Sequence, residues 1–375
     1  MKYLYVFLGV LFSVANIRAQ VKPFKLEGTN SSFFDGYKAY LYVKTDDHRK
    51  VIFLDSTVLK NGEFRFAGQL TQPSSNASIK LILKKEQYYS DFVLDTGLNQ
   101  MVFKEEHLYK RYFANVNMRS VSNIIKFKVD SIDRKAYADQ RAEANIKEEM
   151  VSLSLSRTHE RDLKELKIIE TYPDNYYSLI SLYFLGKHAS MAEYTDLILQ
   201  TFDKLSIELK SSDLGRKLYA SKSADVYAKK ASKEGQPSPI FSVKDNQDRN
   251  FTNKAMLGTP YLLVFTATWC VPCQNQLPKL RKIADNYGKR GLKIVYISVD
   301  DDLQKWKNHL QTVPSEWTHL SDRQEGQQGK IQKMFYVRYI PTYFLIDAAG
   351  KIAYNSDTTD PELLDTEKYI RSAFD

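Results

Sequence analysis

The sequence predicts three folded parts: a β-rich N-terminal domain, an α-helical middle segment and an α/β C-terminal domain. Short alternating or β-branched runs separated by turn residues fill the chain to about residue 113, and helical spacing of apolar residues follows from about 120 to 230. Beyond a stretch interrupted by Gly235, Pro237 and Pro239, buried strands alternate with helices. A length of 375 residues exceeds one ordinary core, and 43% hydrophobic with 13% aromatic residues can build several.

The first twenty residues, MKYLYVFLGVLFSVANIRAQ, set Lys2 before an apolar run from Tyr3 to Val14 that ends in smaller residues at Ala19. Residues 1–19 therefore read as a signal peptide, with Ile17 where a small residue is usual. The run is shorter than the roughly 20 residues that span a bilayer, and no cysteine nearby could carry a lipid. The expectation is an exported protein of the periplasm or cell envelope.

Residues 24–119 form the β-rich domain. KAYLYV, FRFAG, SIKLILKK and DFVLD alternate or cluster strand formers. LDSTVLKNGEFRFAG predicts a hairpin whose Asn61-Gly62 takes the positive φ of a type I′ turn, with Val58, Phe64 and Phe66 as sheet core. Residues 120–232 form the helical segment. In AEYTDLILQTFDKLSIELK, the spacing of Leu197, Phe202, Leu205 and Leu209 predicts one amphipathic helix, and Pro173 in TYPDN interrupts the helices. The tyrosines from Tyr172 to Tyr227 read as packing between helices.

ASKEGQPSPIFSVKDNQ reads as a linker, and residues 237–375 form the C-terminal domain. YLLVFTA and LKIVYISVD are continuous apolar runs of buried strands. CQNQLPKLRKIADNYGKRG offers Leu277, Leu280, Ile283 and Tyr287 as a buried helical face with Gly291 as its stop. TYFLIDAAGKIAYNS reads as two strands joined by a turn at 348–350.

Formal net charge is +9, but basic residues alternate with acids along the chain. This describes a solvated basic surface, not a nucleic-acid site. The only two cysteines are Cys270 and Cys273. A bridge across so short a loop removes little chain entropy and makes a poor staple, so the pair points to chemistry. Zinc would need two further ligands, and the domain's histidines, His309 and His319, lie in helix or loop contexts; no metal is expected. The acids at 300–302 read as a solvated loop and helix start.

A C-x-x-C segment that follows a buried strand and opens a helix sets its sulfurs one turn apart, close enough to bridge. Cys270 at the helix N-terminus gains thiolate character from the macrodipole and free N–H groups, which makes it the nucleophile. Cys273, within the first turn and further from solvent, is the resolving thiol. Pro272 suits an early helical position, and Pro278 lies deeper. Trp269 stands beside Cys270 as a substrate platform or a covering rim aromatic.

TATWCVPCQNQLP, YIPTYFLIDAAGKI and the spacing between them resemble the TlpA/ResA-type thioredoxin-like thiol-disulfide oxidoreductases of bacterial envelopes, over roughly Pro237 to the C-terminus. The resemblance implies a thioredoxin-like α/β fold, a redox-active Cys270–Cys273 disulfide and no cofactor. It also implies a cis proline at Pro341, so that Ile340, Pro341 and Thr342 form a substrate-binding loop. The implied partners are disulfide-containing envelope proteins and a membrane electron relay, with cytochrome c assembly as a setting. The segment around LDSTVLKNGEFRFAG is similar to an uncharacterised domain that precedes thioredoxin-like domains in secreted bacterial proteins. One departure stands out: many relatives carry Glu three residues after the second cysteine, where this chain has Gln276, which cannot ionise. Val264 replaces the buried Asp of ordinary thioredoxins. Alternative readings are a peroxiredoxin-like antioxidant, against which Ala267 stands where Thr or Ser is usual, and a binding or scaffold protein with a latent thioredoxin domain.

Overall fold

The computed structural model describes residues 22–29, 34–44, 50–102, 108–109, 112–113, 118–144, 153–187, 194–323, 329–372 and 374. The signal peptide expected at 1–19 lies outside the described residues. The chain divides into two compact units, one of residues 1–191 and 200–217 and one of residues 192–199 and 218–375.

The first unit opens with β1 (Lys22–Thr29), β2 (Lys38–Lys44), β3 (Val51–Val58), β4 (Glu63–Leu70), β5 (Ser74–Leu83), β6 (Glu86–Asp95), β7 (Gly97–Val102), β8 (Leu108–Tyr109) and β9 (Tyr112–Phe113). They form a three-stranded sheet, β4-β1-β7, and a six-stranded sheet, β3-β2-β5-β6-β9-β8. Period-two patterning turns Leu26, Phe64 and Phe66 of the first sheet and Ala39, Leu41, Ile79 and Leu81 of the second into one apolar core.

The Asn61-Gly62 turn is present, with φ of 53° and 71°, and Lys60 and Glu63 exchange backbone bonds across it. The strands on either side do not pair along their length: β3 joins β2, whereas β4 joins β1. The predicted hairpin is thus a tight corner between two sheets. Phe64 and Phe66 are buried as expected, but Val58 is 44% exposed on an edge strand and the buried residue is its neighbour Leu59.

Helices α1 (Val121–Ala144), α2 (Leu155–Thr171), α3 (Tyr176–Leu185), α4 (Thr195–Asp203), α5 (Ile207–Ser211) and α6 (Asp213–Ala231) follow. Pro173 separates α2 from α3, and Asn175 caps α3 by accepting from the Tyr177 N–H at 2.9 Å. The single helix predicted over 192–210 is divided into α4 and α5. Ser206 accepts from the Leu209 N–H and starts a new helix, the backbone competition that disfavours serine in helix interiors. Phe202, Leu205 and Leu209 are buried, and in α4 Ile198 is fully buried where Leu197 is only partly so.

The second unit carries β10 (Ser242–Lys244), β11 (Asn250–Thr252), β12 (Tyr261–Thr266), α7 (Val271–Gly288), β13 (Lys293–Ser298), α8 (Leu303–His309), β14 (Thr318–Ser321), α9 (Lys330–Met334), β15 (Thr342–Ile346), β16 (Ile352–Asn355), α10 (Ser356–Thr359) and α11 (Thr366–Ser372). Five strands form a mixed sheet in the order β14-β13-β12-β15-β16, with β12, β13 and β14 parallel and β15 and β16 antiparallel to their neighbours. Central β12 is buried at every residue, as its unbroken apolar run requires. Leu263 and Phe265 point to the side that holds both cysteines, and Leu262 and Val264 to the side packed by Leu280, Ile283 and Tyr287 of α7.

The stretch read as a linker is part of this unit. Gly235 and Ser238 donate backbone N–H groups to the Ile352 and Gly350 carbonyls at 2.8 Å, and Gln236 accepts from Ile352 at 2.9 Å. The Gly235–Gln236 backbone thus pairs with Ile352 at the start of β16.

Candidate active site

β12 ends at Thr266, and five residues later α7 begins. Cys270 is the N-cap of α7: its backbone is extended and its Sγ accepts from the Cys273 N–H at 3.2 Å. An N-terminal N–H that would otherwise lack a partner is thereby aimed at sulfur, and Pro272 occupies an early helical position where no N–H is needed. Cys270 and Cys273 form a disulfide, S–S 2.06 Å and Cα–Cα 5.2 Å.

Both cysteines are only 4% exposed, so the expected difference in exposure between them is not seen. The cover over Cys270 comes from the loop before β15, where the Ile340 carbonyl oxygen lies 3.7 Å from Cys270 Sγ. What separates the two sulfurs is the N-cap position. Only the Cys270 sulfur receives the helical N–H, and a thiolate there is the species that such a donor favours.

The Ile340–Pro341 peptide is cis, as the resemblance implied, and the loop brings the Ile340 carbonyl to Cys270 Sγ. Thr342 is fully buried, and its Oγ1 lies 2.7 Å from the Tyr339 carbonyl and 2.8 Å from Asp357 Oδ1. Trp269, 66% exposed, stands at the surface beside Cys270, with Val271 and Tyr339 also exposed. Trp269 therefore presents an open aromatic face.

The acids at 300–302 divide in role. Asp302 caps α8, accepting from the Gln304 and Lys305 N–H groups, as a helix start predicts. Asp300 is buried, contrary to the expectation of a solvated loop. It accepts from the Thr268 N–H at 3.1 and 3.0 Å, from Thr268 Oγ1 at 2.7 Å and from Ser298 Oγ at 2.7 Å. This carboxylate ties the end of β13 to the loop that presents Trp269 and Cys270. Its burial is possible because donors meet both oxygens.

Gln276 is half-exposed on α7, and Val264 is buried among apolar side chains on the opposite side of the sheet from the cysteines. Neither position supplies a proton. His319 is buried with Nε2 at 2.8 Å from the Pro314 carbonyl, and desolvation holds its imidazole below the ordinary range. Burial likewise raises the Asp357 carboxyl above the usual carboxylate range, opposed by its bonds from Thr342 and the Arg338 backbone.

Sequence reasoning missed Thr268, Asp300 and Asp357. Asp300 had one usable signal, its position directly after a continuous buried strand, where a strand end faces the site of an α/β fold. Asp357 had none, because its contact with the loop arises from the pairing of β15 with β16.

Residues 258–352 match the family described as thioredoxin-like, and residues 24–123 match one described as a domain of unknown function, DUF4369. The thiol-disulfide oxidoreductase ResA of Bacillus anthracis is 30% identical over 118 residues, which cover 32% of this chain and 66% of that protein. ResA of Geobacillus thermodenitrificans is 27% identical over 118 residues, with the same coverage of 32% and 66%. The chain thus spans just under two thirds of the length of these relatives. Among solved structures, a thioredoxin-family thiol:disulfide interchange protein of Chlorobium tepidum TLS is 24% identical and covers 37% of this chain and 96% of its own, with a TM-score of 0.32. A thiol:disulfide interchange protein from Bacteroides sp. is 21% identical over 37% of this chain and 88% of its own, also at a TM-score of 0.32.

Proposed function

We propose that this chain, whose C-terminal domain is thioredoxin-like and of the TlpA/ResA kind, is an extracytoplasmic thiol-disulfide oxidoreductase that reduces disulfides of envelope proteins. The observation that carries the reading is the Cys270–Cys273 disulfide at the start of α7, with the Cys273 N–H directed at Cys270 Sγ and the Ile340–Pro341 loop against it. Nothing in a structural staple calls for a sulfur placed at a helix N-cap beside an exposed tryptophan.

In the reduced protein the Cys270 thiolate attacks one sulfur of a substrate disulfide. That S–S bond breaks, a Cys270–substrate bond forms, and the first substrate sulfur leaves as a thiolate that takes up a proton. Cys273 then loses its proton and attacks Cys270 Sγ, which releases the second substrate thiolate and regenerates the disulfide. Two electrons have passed from the dithiol to the substrate. With no third cysteine in the chain, the disulfide must be reduced again by a dithiol of another protein, the part a membrane electron relay would play. Reductive maturation of envelope thiols, as in cytochrome c assembly, is a setting that fits.

The Cys273→Ala variant tests this reading. It should accumulate mixed disulfides through Cys270 with envelope proteins, and wild type should reduce a peptide disulfide. If nothing is trapped and wild type reduces no disulfide, the reading fails.

A further inference from the structure

The loop that carries Pro341 is held from behind by α10, and this support has no part in the exchange chemistry just described. Thr342 Oγ1 has two oxygen neighbours, the Tyr339 carbonyl at 2.7 Å and Asp357 Oδ1 at 2.8 Å. A hydroxyl has one proton to give. Thr342 Oγ1 shares that proton between the two acceptors in a three-centre bond, and the Arg338 backbone N–H donates to the same Asp357 carboxyl. The result is a chain of contacts, Asp357 to Thr342 to Tyr339, that brackets Ile340 and Pro341.

We propose that Asp357 is a positioning residue, which by accepting from the Thr342 hydroxyl and the Arg338 backbone holds residues 338–342 in place so that the loop can receive a substrate strand beside Cys270. The proposal rests on the thiol-disulfide exchange reading and names a residue that sets substrate affinity within it. The neighbouring residue of α10 acts in the same sense: Ser356 Oγ accepts from the Tyr343 N–H at 2.8 Å. Two successive residues of α10 thus grip two successive residues after Pro341. The Asp357 backbone is itself fixed by Asn355 Oδ1, which accepts its N–H at 3.0 Å.

The other charged groups around α10 have partners of their own. Arg338 lies on the loop side, and its guanidinium is engaged with the Tyr336 hydroxyl at 2.8 Å. Glu234 binds the Thr359 hydroxyl and the Asn355 N–H. Asp360, at the end of α10, is occupied by the Leu364 and Asp365 N–H groups and the Tyr354 hydroxyl. Desolvation raises the Asp357 carboxyl, opposed by the bonds from Thr342 and the Arg338 backbone and by the Arg338 charge.

The test is steady-state reduction of an extended peptide that carries a disulfide-linked fluorophore, by the full chain with dithiothreitol as the two-electron donor that regenerates its dithiol and the uncatalysed rate subtracted, with three variants. Asp357→Ala removes the acceptor and should raise KM about tenfold with kcat little changed, the pattern of lost uniform binding. Thr342→Val keeps the volume but breaks the chain at its centre, and should raise KM similarly; it decides the matter if Asp357→Ala does not fold. Asp357→Asn keeps an acceptor oxygen for the Thr342 hydroxyl and should keep KM within about twofold of wild type. A wild-type KM in Asp357→Ala or Thr342→Val, or an Asp357→Asn variant as impaired as the alanine, overturns the proposal while leaving the exchange reading intact. A wild-type protein that reduces no disulfide overturns the exchange reading itself.

Discussion

Replacing Asp300 with asparagine should destabilise the C-terminal unit by a few kcal/mol although the side chain keeps its shape. Asp300 accepts from the Thr268 N–H with both oxygens, from Thr268 Oγ1 with one and from Ser298 Oγ with the other. Asparagine turns one of those acceptors into an NH2 group. The Ser298 hydroxyl can rotate and accept, so Nδ2 settles on its side, and the Thr268 donors are left to share a single neutral oxygen. Hydrogen bonds to an ionised group contribute roughly 1.5–3 kcal/mol each and neutral ones roughly 0.5–1.5. Losing the charge across these donors therefore costs on the order of 3 kcal/mol. The same change loosens the loop that presents Trp269 and Cys270, so kcat/KM for disulfide reduction should fall with stability. Urea unfolding of wild type and Asp300→Asn at one pH measures the first effect, read from the midpoint at constant slope. A variant within about 0.5 kcal/mol of wild type, the range of an ordinary surface substitution, would refute the view that Asp300 is the anchor of this loop.

Two further predictions concern ionisation. Burial, with Asp133 and Asp162 nearby, pushes the Glu165 carboxyl of α2 up to about 8 from an ordinary 4.5. The folded state thus holds a proton that the unfolded state releases, and stability present below pH 4.5 is lost as pH rises through about 8, by up to about 5 kcal/mol. Glu165→Gln should flatten that slope in urea titrations between pH 5 and 8.5; an unchanged slope places the titration elsewhere. Gln276→Glu puts an ionisable group three residues after Cys273 and should introduce a new inflection in the pH–rate profile of disulfide release. An identical profile would show that resolution does not depend on a proton acceptor at this position.

What could be read in advance was whatever local pattern encodes. The apolar run of β12 and the C-x-x-C that follows it determine a buried strand and a helix N-cap within a dozen residues, and both stand where expected. The cis Ile340–Pro341 peptide came from the resemblance, since an X-Pro pair alone permits either isomer. The contacts of Thr268 with Asp300 and of Thr342 with Asp357 join residues 32 and 15 apart, and no periodicity registers a bond that exists only after strands have paired. Val58 and the divided helix at Ser206 show the complementary difficulty. In each, a correct local propensity met a neighbour, a sheet edge or a capping hydroxyl, that decided the outcome.

The proton inventory around the disulfide follows from these placements. The cysteines share a core with Leu263, Phe265, Phe335 and Phe344, and the two positions where relatives or ordinary thioredoxins hold a carboxyl are an amide, Gln276, and an alkyl group, Val264. Asp300 is engaged by Thr268 and Ser298, and Asp357 by Thr342. The attack step is supported by fixed features, since the Cys273 N–H stabilises a Cys270 thiolate without moving. The resolving step lacks an equivalent, because the Cys273 proton must leave through an apolar shell. The leaving substrate thiolate is the base brought to the site by the reaction itself, and a substrate thiol of higher pKa accepts that proton more readily while departing more slowly. On the exchange reading proposed above, these opposing dependences offset one another, so the resolving step would vary little with the pKa of the substrate thiol.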